Sequence, residues 1–161
     1  MSLNHKVPNR AYSHMPSTHT SLHYHLVFST KDRVPYINPN FQPDLQGYLG
    51  GIVKNQGGVP LAIGGIEDHM HLLVGLKASH RLDYFLRELK AGSSGWTRRD
   101  QIPDFAWQPG CAAFSVSPGN LDNVTRYIHN QREHHRSKDF KAEYLDMLRS
   151  GNIDFDERYL W

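Results

Sequence analysis

The sequence predicts an α+β fold of the ferredoxin-like split βαβ type: a four-stranded antiparallel sheet with helices on one face, plus an additional C-terminal helix that bears a tyrosine. Three observations predict it. Apolar and polar residues alternate over "TSLHYHLVFST" (20–30), and short apolar runs recur at 57–66, 67–76 and 106–117, each of strand length. Between these runs, apolar residues recur at three- and four-residue spacing, the period of an amphipathic helix. The resulting order is β-α-β-β-α-β-α, and its first six elements are those of the split βαβ arrangement.

Each element has a local reason. The run 20–30 is rich in β-formers and alternates in polarity. Over 40–56, Leu45, Leu49, Ile52 and Val53 form a helical stripe, weakened by three glycines. A Gly-Gly turn opens the strand 57–66, and the strand 67–76 forms a hairpin with it. The helix 79–99 takes Ser79 as its N-cap and shows an apolar face of Leu82, Phe85, Leu86 and Leu89. The run 106–117 is the fourth strand; Trp107, and Trp96 from the helix before it, could stack on bases, but core packing is the expected role of both. "PGNLDNVTRYIHNQREHHRS" (118–137) reads as one continuous helix, and "KAEYLDMLRSG" (141–151) as a shorter one that stops at Gly151. Residues 1–18 are polar, carry two prolines and show no periodicity, so a flexible N-terminal tail is expected, with a single domain over 19–161.

Composition narrows the function classes. The chain has 161 residues, 39% hydrophobic and 21% charged, as expected of one globular domain rather than a disordered chain. No apolar run reaches the roughly 18 residues of a membrane span. The single cysteine, Cys111, excludes a disulfide framework and a cysteine-rich zinc site. With no apolar core of a signal peptide near the start, a reducing cytoplasm is the expected compartment. Net charge is only +2, so any attraction to nucleic acid is local.

Two short patterns carry chemistry. In "GGIEDHMHLLVGL" (64–76), His69 and His71 share one face of a strand, roughly 7 Å apart along it, while Met70 points into the helix-packed core. On an open sheet face these imidazoles are either solvated polar groups or a pair able to ligate one divalent cation with a third ligand from elsewhere. Asp68, one residue earlier, falls on the opposite face and is either a turn residue or a helper to a neighbouring group. In "RYIHNQREHH" (126–135), Tyr127, Asn130, Gln131 and His134 stand at i, i+3, i+4 and i+7 and share a polar helical face. Tyr127 offers a hydroxyl nucleophile, but a phenol of pKa near 10 needs help to attack at neutral pH. His134 is either a helper at that site or a solvated residue.

Taken together, these segments resemble the single-tyrosine HUH transposases of bacterial insertion sequences, including the REP-associated tyrosine transposases. The resemblance rests on "HYHLVFSTKDRVPYI", "GGIEDHMHLLVGL", "WQPGCAAFSVS", "YIHNQREHH" and the ending "FKAEYLDMLRSGNIDFDERYLW", in the family's order over residues 19–161. Cys111 departs from it, standing where the family commonly has an aromatic residue. The resemblance implies an enzyme that nicks single-stranded DNA beside a hairpin and rejoins it through a covalent 5′-phosphotyrosine. Tyr127 matches the nucleophile, His69 and His71 the two metal-binding histidines, and Gln131 the third ligand. The cation it implies is Mg²⁺ or Mn²⁺, the assembly a homodimer, and the place of action the bacterial nucleoid. Lys31, Arg33, Arg87, Lys90, Arg126 and Arg132 are the candidate phosphate contacts. Three other readings remain open from the residues: a non-catalytic single-stranded nucleic-acid module on an open sheet face, a related replication initiator or relaxase, and a domesticated nuclease that processes genomic repeats.

Overall fold

The computed structural model describes residues 19–161; the expected N-terminal tail lies outside them. Strand β1 (Leu22–Ser29) leads to helix α1 (Gln42–Asn55), then to the hairpin β2 (Val59–Ile66) and β3 (His69–Leu76), helix α2 (Leu82–Asp100) and strand β4 (Ala112–Ser115). Three further helices follow: α3 (Leu121–His129), the single turn α4 (Gln131–His134) and α5 (Phe140–Ser150). The sheet order is β2-β3-β1-β4 with every pairing antiparallel, the predicted split βαβ arrangement.

Alternation along the two central strands decides which face each side chain takes. Leu26 and Phe28 of β1 and Met70, Leu72 and Val74 of β3 point to α1 and α2, where Leu45, Leu49, Val53, Phe85 and Leu89 complete the main core. Burying each such side chain contributes about 1.5–3 kcal/mol. Trp107 belongs here too: its indole meets Phe28 edge-on, and its Nε1–H donates to Ser93 Oγ at 2.9 Å. Trp96 is half-buried and stacks on Tyr48 with ring centroids 4.4 Å apart, so both indoles serve packing, as the sequence indicated.

The opposite face is not open. Leu73 and Ala62 pack against Ile128 of α3, and Val27 and Ala112 pack against Phe140 and Leu148 of α5. This corrects the expectation of a bare sheet face. The close approach of α3 depends on a glycine: a Cβ at Gly64 would sit 2.3 Å from the Ile128 carbonyl oxygen. Any side chain there pushes α3 off the sheet.

Three local expectations are revised. Ser79 does not cap α2; the helix starts at Leu82 after Arg81, and the turn before it is closed by His80, whose Nδ1 accepts from the Lys77 N–H at 2.9 Å. The fourth strand is shorter than the run 106–117, because Pro109 and Gly110, the latter at φ +82°, interrupt it and leave Trp107 in an isolated bridge to Thr30. The long helix 118–137 is broken at Asn130, whose φ −96° and ψ 18° lie outside the helical region. A short polar side chain that competes for backbone hydrogen bonds favours such a break.

Candidate metal and nucleophile site

β3 brings His69 and His71 to the face covered by α3, α4 and α5, and both imidazoles are fully buried. Solvated positions on a strand face are therefore ruled out. Their Nε2 atoms face one carboxylate: Glu143 Oε2 lies 3.7 Å from His69 Nε2 and 3.8 Å from His71 Nε2. The three ligand atoms fall within 4.8 Å of one another. His71 Nε2 is buried with no hydrogen-bond partner, and Glu143 Oε2 makes no aligned hydrogen bond although His135 Nε2 is close by, a costly arrangement unless something else binds there. Two imidazole nitrogens and a carboxylate oxygen, with orphaned atoms turned to a common point, suit a divalent cation.

Glu143 was not found from the sequence. A signal was present: Phe140, Glu143, Tyr144 and Met147 stand at i, i+3, i+4 and i+7 of α5, which puts a carboxylate in the phase of the apolar stripe. Its oxygens divide the work. Oε1 accepts a hydrogen bond from the Tyr127 hydroxyl and another from Gln131 Nε2 at 3.3 Å, while Oε2 is turned to the histidines. Burial, reinforced by the charge of Asp68, pushes the Glu143 carboxyl up to about 8. His135 Nε2 lies 2.9 Å from Oε2, and His134 Nε2 3.5 Å from Oε1.

Gln131 also reaches the site, as its spacing from Tyr127 suggested. It is buried, and its Oε1 lies 3.2 Å from His69 Nε2 and 3.0 Å from His135 Nε2. The ring of Tyr127 is half-buried against His25, 6.0 Å away, and His71, 5.7 Å away. It lines a shallow cleft of about 280 Å³ together with His25, His134, Lys138, Glu143 and Met147. The nucleophile candidate is thus on the accessible edge of the buried cluster.

The histidines have different supports. Asp68 occupies the turn before β3 rather than the opposite face of the strand. Its Oδ1 lies 2.7 Å from His69 Nδ1, and its Oδ2 accepts from Arg33 at 2.7 Å. Burial alone would raise the Asp68 carboxyl, but hydrogen bonds and charge from His69 and Arg33 outweigh it and hold it below the usual range. His71 is backed instead by His25, Nε2 to Nδ1 at 2.9 Å. Desolvation, aided by the surrounding imidazoles, holds His71 well below its ordinary value, and burial takes His25 down to about 4, so both are neutral at pH 7.

The basic residues scatter. Arg33 is engaged with Asp68 and Arg132 with Glu67 at 3.1 Å, both near the site, and Lys31 is exposed just after β1. Arg126 is exposed on α3 and bonds Asn123. Arg87 and Lys90 lie on α2, across the sheet from the site. Arg87 pairs with Glu88, and the Lys90 ammonium donates to the carbonyls of Gln108 at 2.6 Å and Gly110 at 2.5 Å. Among the described residues no helix is long and apolar enough to cross a membrane.

Comparison with known proteins places this site in context. Residues 18–131 match the family described as "Transposase IS200 like". No curated protein sequence matches the chain. Among solved structures, a protein of Deinococcus radiodurans R1 assigned as a transposase superposes with a TM-score of 0.60 at 24% identity, covering 74% of this chain and 97% of that one. A REP-associated tyrosine transposase bound to a REP hairpin superposes with a TM-score of 0.57 at 14% identity, covering 76% of this chain and 74% of that one. These two likenesses concern the fold. The match over residues 18–131 takes in β1 through Gln131, and therefore His69, His71 and Tyr127, and on that basis the chain belongs to the IS200-like transposase family.

Proposed function

We propose that the protein is a metal-dependent transposase that nicks single-stranded DNA at hairpin-marked ends and rejoins it through a 5′-phosphotyrosine on Tyr127. The observation that carries this reading is the convergence of Tyr127, His69 and His71 on one carboxylate, Glu143. His69, His71 and Glu143 would hold a divalent cation, Mg²⁺ or Mn²⁺, with the Gln131 carbonyl oxygen adjacent as a further ligand. Such a cation supplies Lewis-acid polarisation of a phosphate oxygen and offsets charge in the transition state.

The chain's own residues then have distinct tasks. The Tyr127 oxygen attacks the phosphorus, a phosphorus–oxygen bond forms, and the bond to the 3′ oxygen breaks. The freed strand end leaves as a 3′-hydroxyl after taking up a proton. With Glu143 ionised, as cation binding requires, its Oε1 receives the phenol's proton, because the hydrogen bond already points there. Joining reverses the attack with another 3′-hydroxyl. Asp68 holds His69 through Nδ1, so that Nε2 is directed to the ligand position. Arg33 and Arg132, which pair with Asp68 and Glu67 beside the site, are the stronger phosphate candidates, and Lys31 is exposed just after β1. The likeness to a hairpin-bound transposase supports a hairpin partner, and a homodimer is part of the same proposal.

A non-catalytic module of the open-sheet kind fits less well, since both sheet faces are covered by helices. The deciding experiment incubates the protein with labelled single-stranded hairpins and Mn²⁺, then denatures it. Wild type should carry the label, and Tyr127→Phe should carry none while retaining hairpin binding. An adduct on the Phe variant removes Tyr127 as nucleophile; no adduct on wild type with any hairpin removes the covalent mechanism.

A further inference from the structure

We infer that His25 is a positioning residue: it fixes the tautomer and orientation of His71 so that His71 presents a lone pair at Nε2 to the cation site. The inference rests on the cation-binding reading above and adds to it a residue from a different strand.

Val27 stands opposite His71, and His25 opposite Leu73, so His25 and His71 are diagonal neighbours on one face of the β1–β3 pair. Their rings stack with centroids 5.1 Å apart and an interplanar angle of 30°. That contact puts His25 Nε2 2.9 Å from His71 Nδ1, with His25 6% exposed. Two neutral imidazoles in hydrogen bond share one proton between the facing nitrogens, and two arrangements exist. In one, His25 donates from Nε2, and His71 carries its own proton on Nε2. That proton would face Glu143 Oε2, 3.8 Å away and beyond hydrogen-bond reach, and would occupy the position a cation needs. In the other, His71 donates from Nδ1 to His25 Nε2, and its Nε2 is a lone pair. Only the second arrangement leaves a nitrogen that can take a cation, and His25 Nε2 is the acceptor that holds His71 in it.

A ligating histidine ordinarily gives its second ring nitrogen to a carboxylate or carbonyl. His69 follows that pattern through Asp68. His71 uses a neutral imidazole instead. The site already holds the carboxyl groups of Asp68 and Glu143, and a third carboxylate on this buried face would add the cost of desolvating another charge. A neutral acceptor orients His71 without that cost. His25 also packs edge-on against Tyr127 at 6.0 Å, so the same ring that orients the ligand braces the nucleophile's ring.

The test uses Mn²⁺ binding measured by calorimetry on the full chain, with no DNA present. His25→Phe keeps the ring stack but removes the acceptor, and should weaken Mn²⁺ binding by about tenfold to a hundredfold. His25→Gln places an amide oxygen near the lost Nε2 and should recover most of the affinity. A purely packing role gives the reverse order, with Phe tolerated and Gln not. Equal affinities for wild type and His25→Phe overturn the role of His25 alone; no Mn²⁺ binding by wild type overturns the cation reading together with it. If His25→Phe does not fold, two-bond proton–nitrogen correlation spectra of the metal-free wild type decide. A proton on His71 Nδ1 supports the inference, and a proton on its Nε2 overturns it.

Discussion

The Tyr127 hydroxyl donates a hydrogen bond to the Glu143 carboxylate, 16 residues further along the chain and on a different helix. That one contact joins the proposed nucleophile to the group that faces both buried histidines. It makes Glu143 the residue on which protonation, cation binding and nucleophile placement all act.

The first prediction concerns pH. In the metal-free protein, His25 titrates near 4 and His71 well below its ordinary 6.5, so an unfolded chain binds more protons than the native one between about pH 4 and 6.5. Stability rises with pH over that window. Glu143 acts in the opposite sense: the native protein keeps its proton to about 8, whereas an unfolded chain loses it near 4.5. Where only Glu143 differs, from about pH 6.5 to 8, stability falls as pH rises. Thermal denaturation should therefore show a maximum near pH 6.5, and Glu143→Gln should replace the decline above it with a plateau. Cation binding needs the ionised carboxylate, so Mn²⁺ affinity should climb to about pH 8 in wild type, with proton release, and be much less pH-dependent in Glu143→Gln.

A second prediction concerns Asp68. Asp68→Asn keeps the shape but removes the charge that His69 and Arg33 share. Mn²⁺ affinity should fall by about tenfold to a hundredfold. The half-buried Arg33 loses its partner, which costs on the order of 1 kcal/mol of stability. Calorimetric binding and denaturant unfolding on the same samples separate the two effects. Unchanged affinity would make Asp68 only a turn residue.

The third concerns Gly64. Gly64→Ala sets a methyl against the Ile128 carbonyl, which must move. A destabilisation of about 1–3 kcal/mol is expected from denaturant unfolding. Because Ile128 is next to Tyr127, covalent adduct formation should drop further than the loss of folded protein explains. An adduct yield that tracks folded protein alone would show that α3 has room to shift.

The sequence by itself determined the order of elements, the sheet class and the two short patterns that matter. Alternation in "HMHLLV" separates Met70, Leu72 and Val74 from His69, His71 and Leu73, and the structure keeps that separation. The spacing of Tyr127 and Gln131 likewise brings both to one site, although the helix carrying them breaks at Asn130 between them. Such features are legible because they follow from local periodicity within a single element.

What only the tertiary structure decided was the surroundings of those patterns. Whether His69 and His71 are solvated or buried depended on α3, α4 and α5 folding over the second sheet face, and nothing in the spacing of two histidines encodes that. Glu143 becomes a partner of the histidines only because α5 docks there, and His25 becomes a partner of His71 only through the β1–β3 register. The physical reason is that local pattern fixes the face on which a side chain emerges. The groups it meets there, and hence its protonation and its chemistry, come from segments far away in the chain.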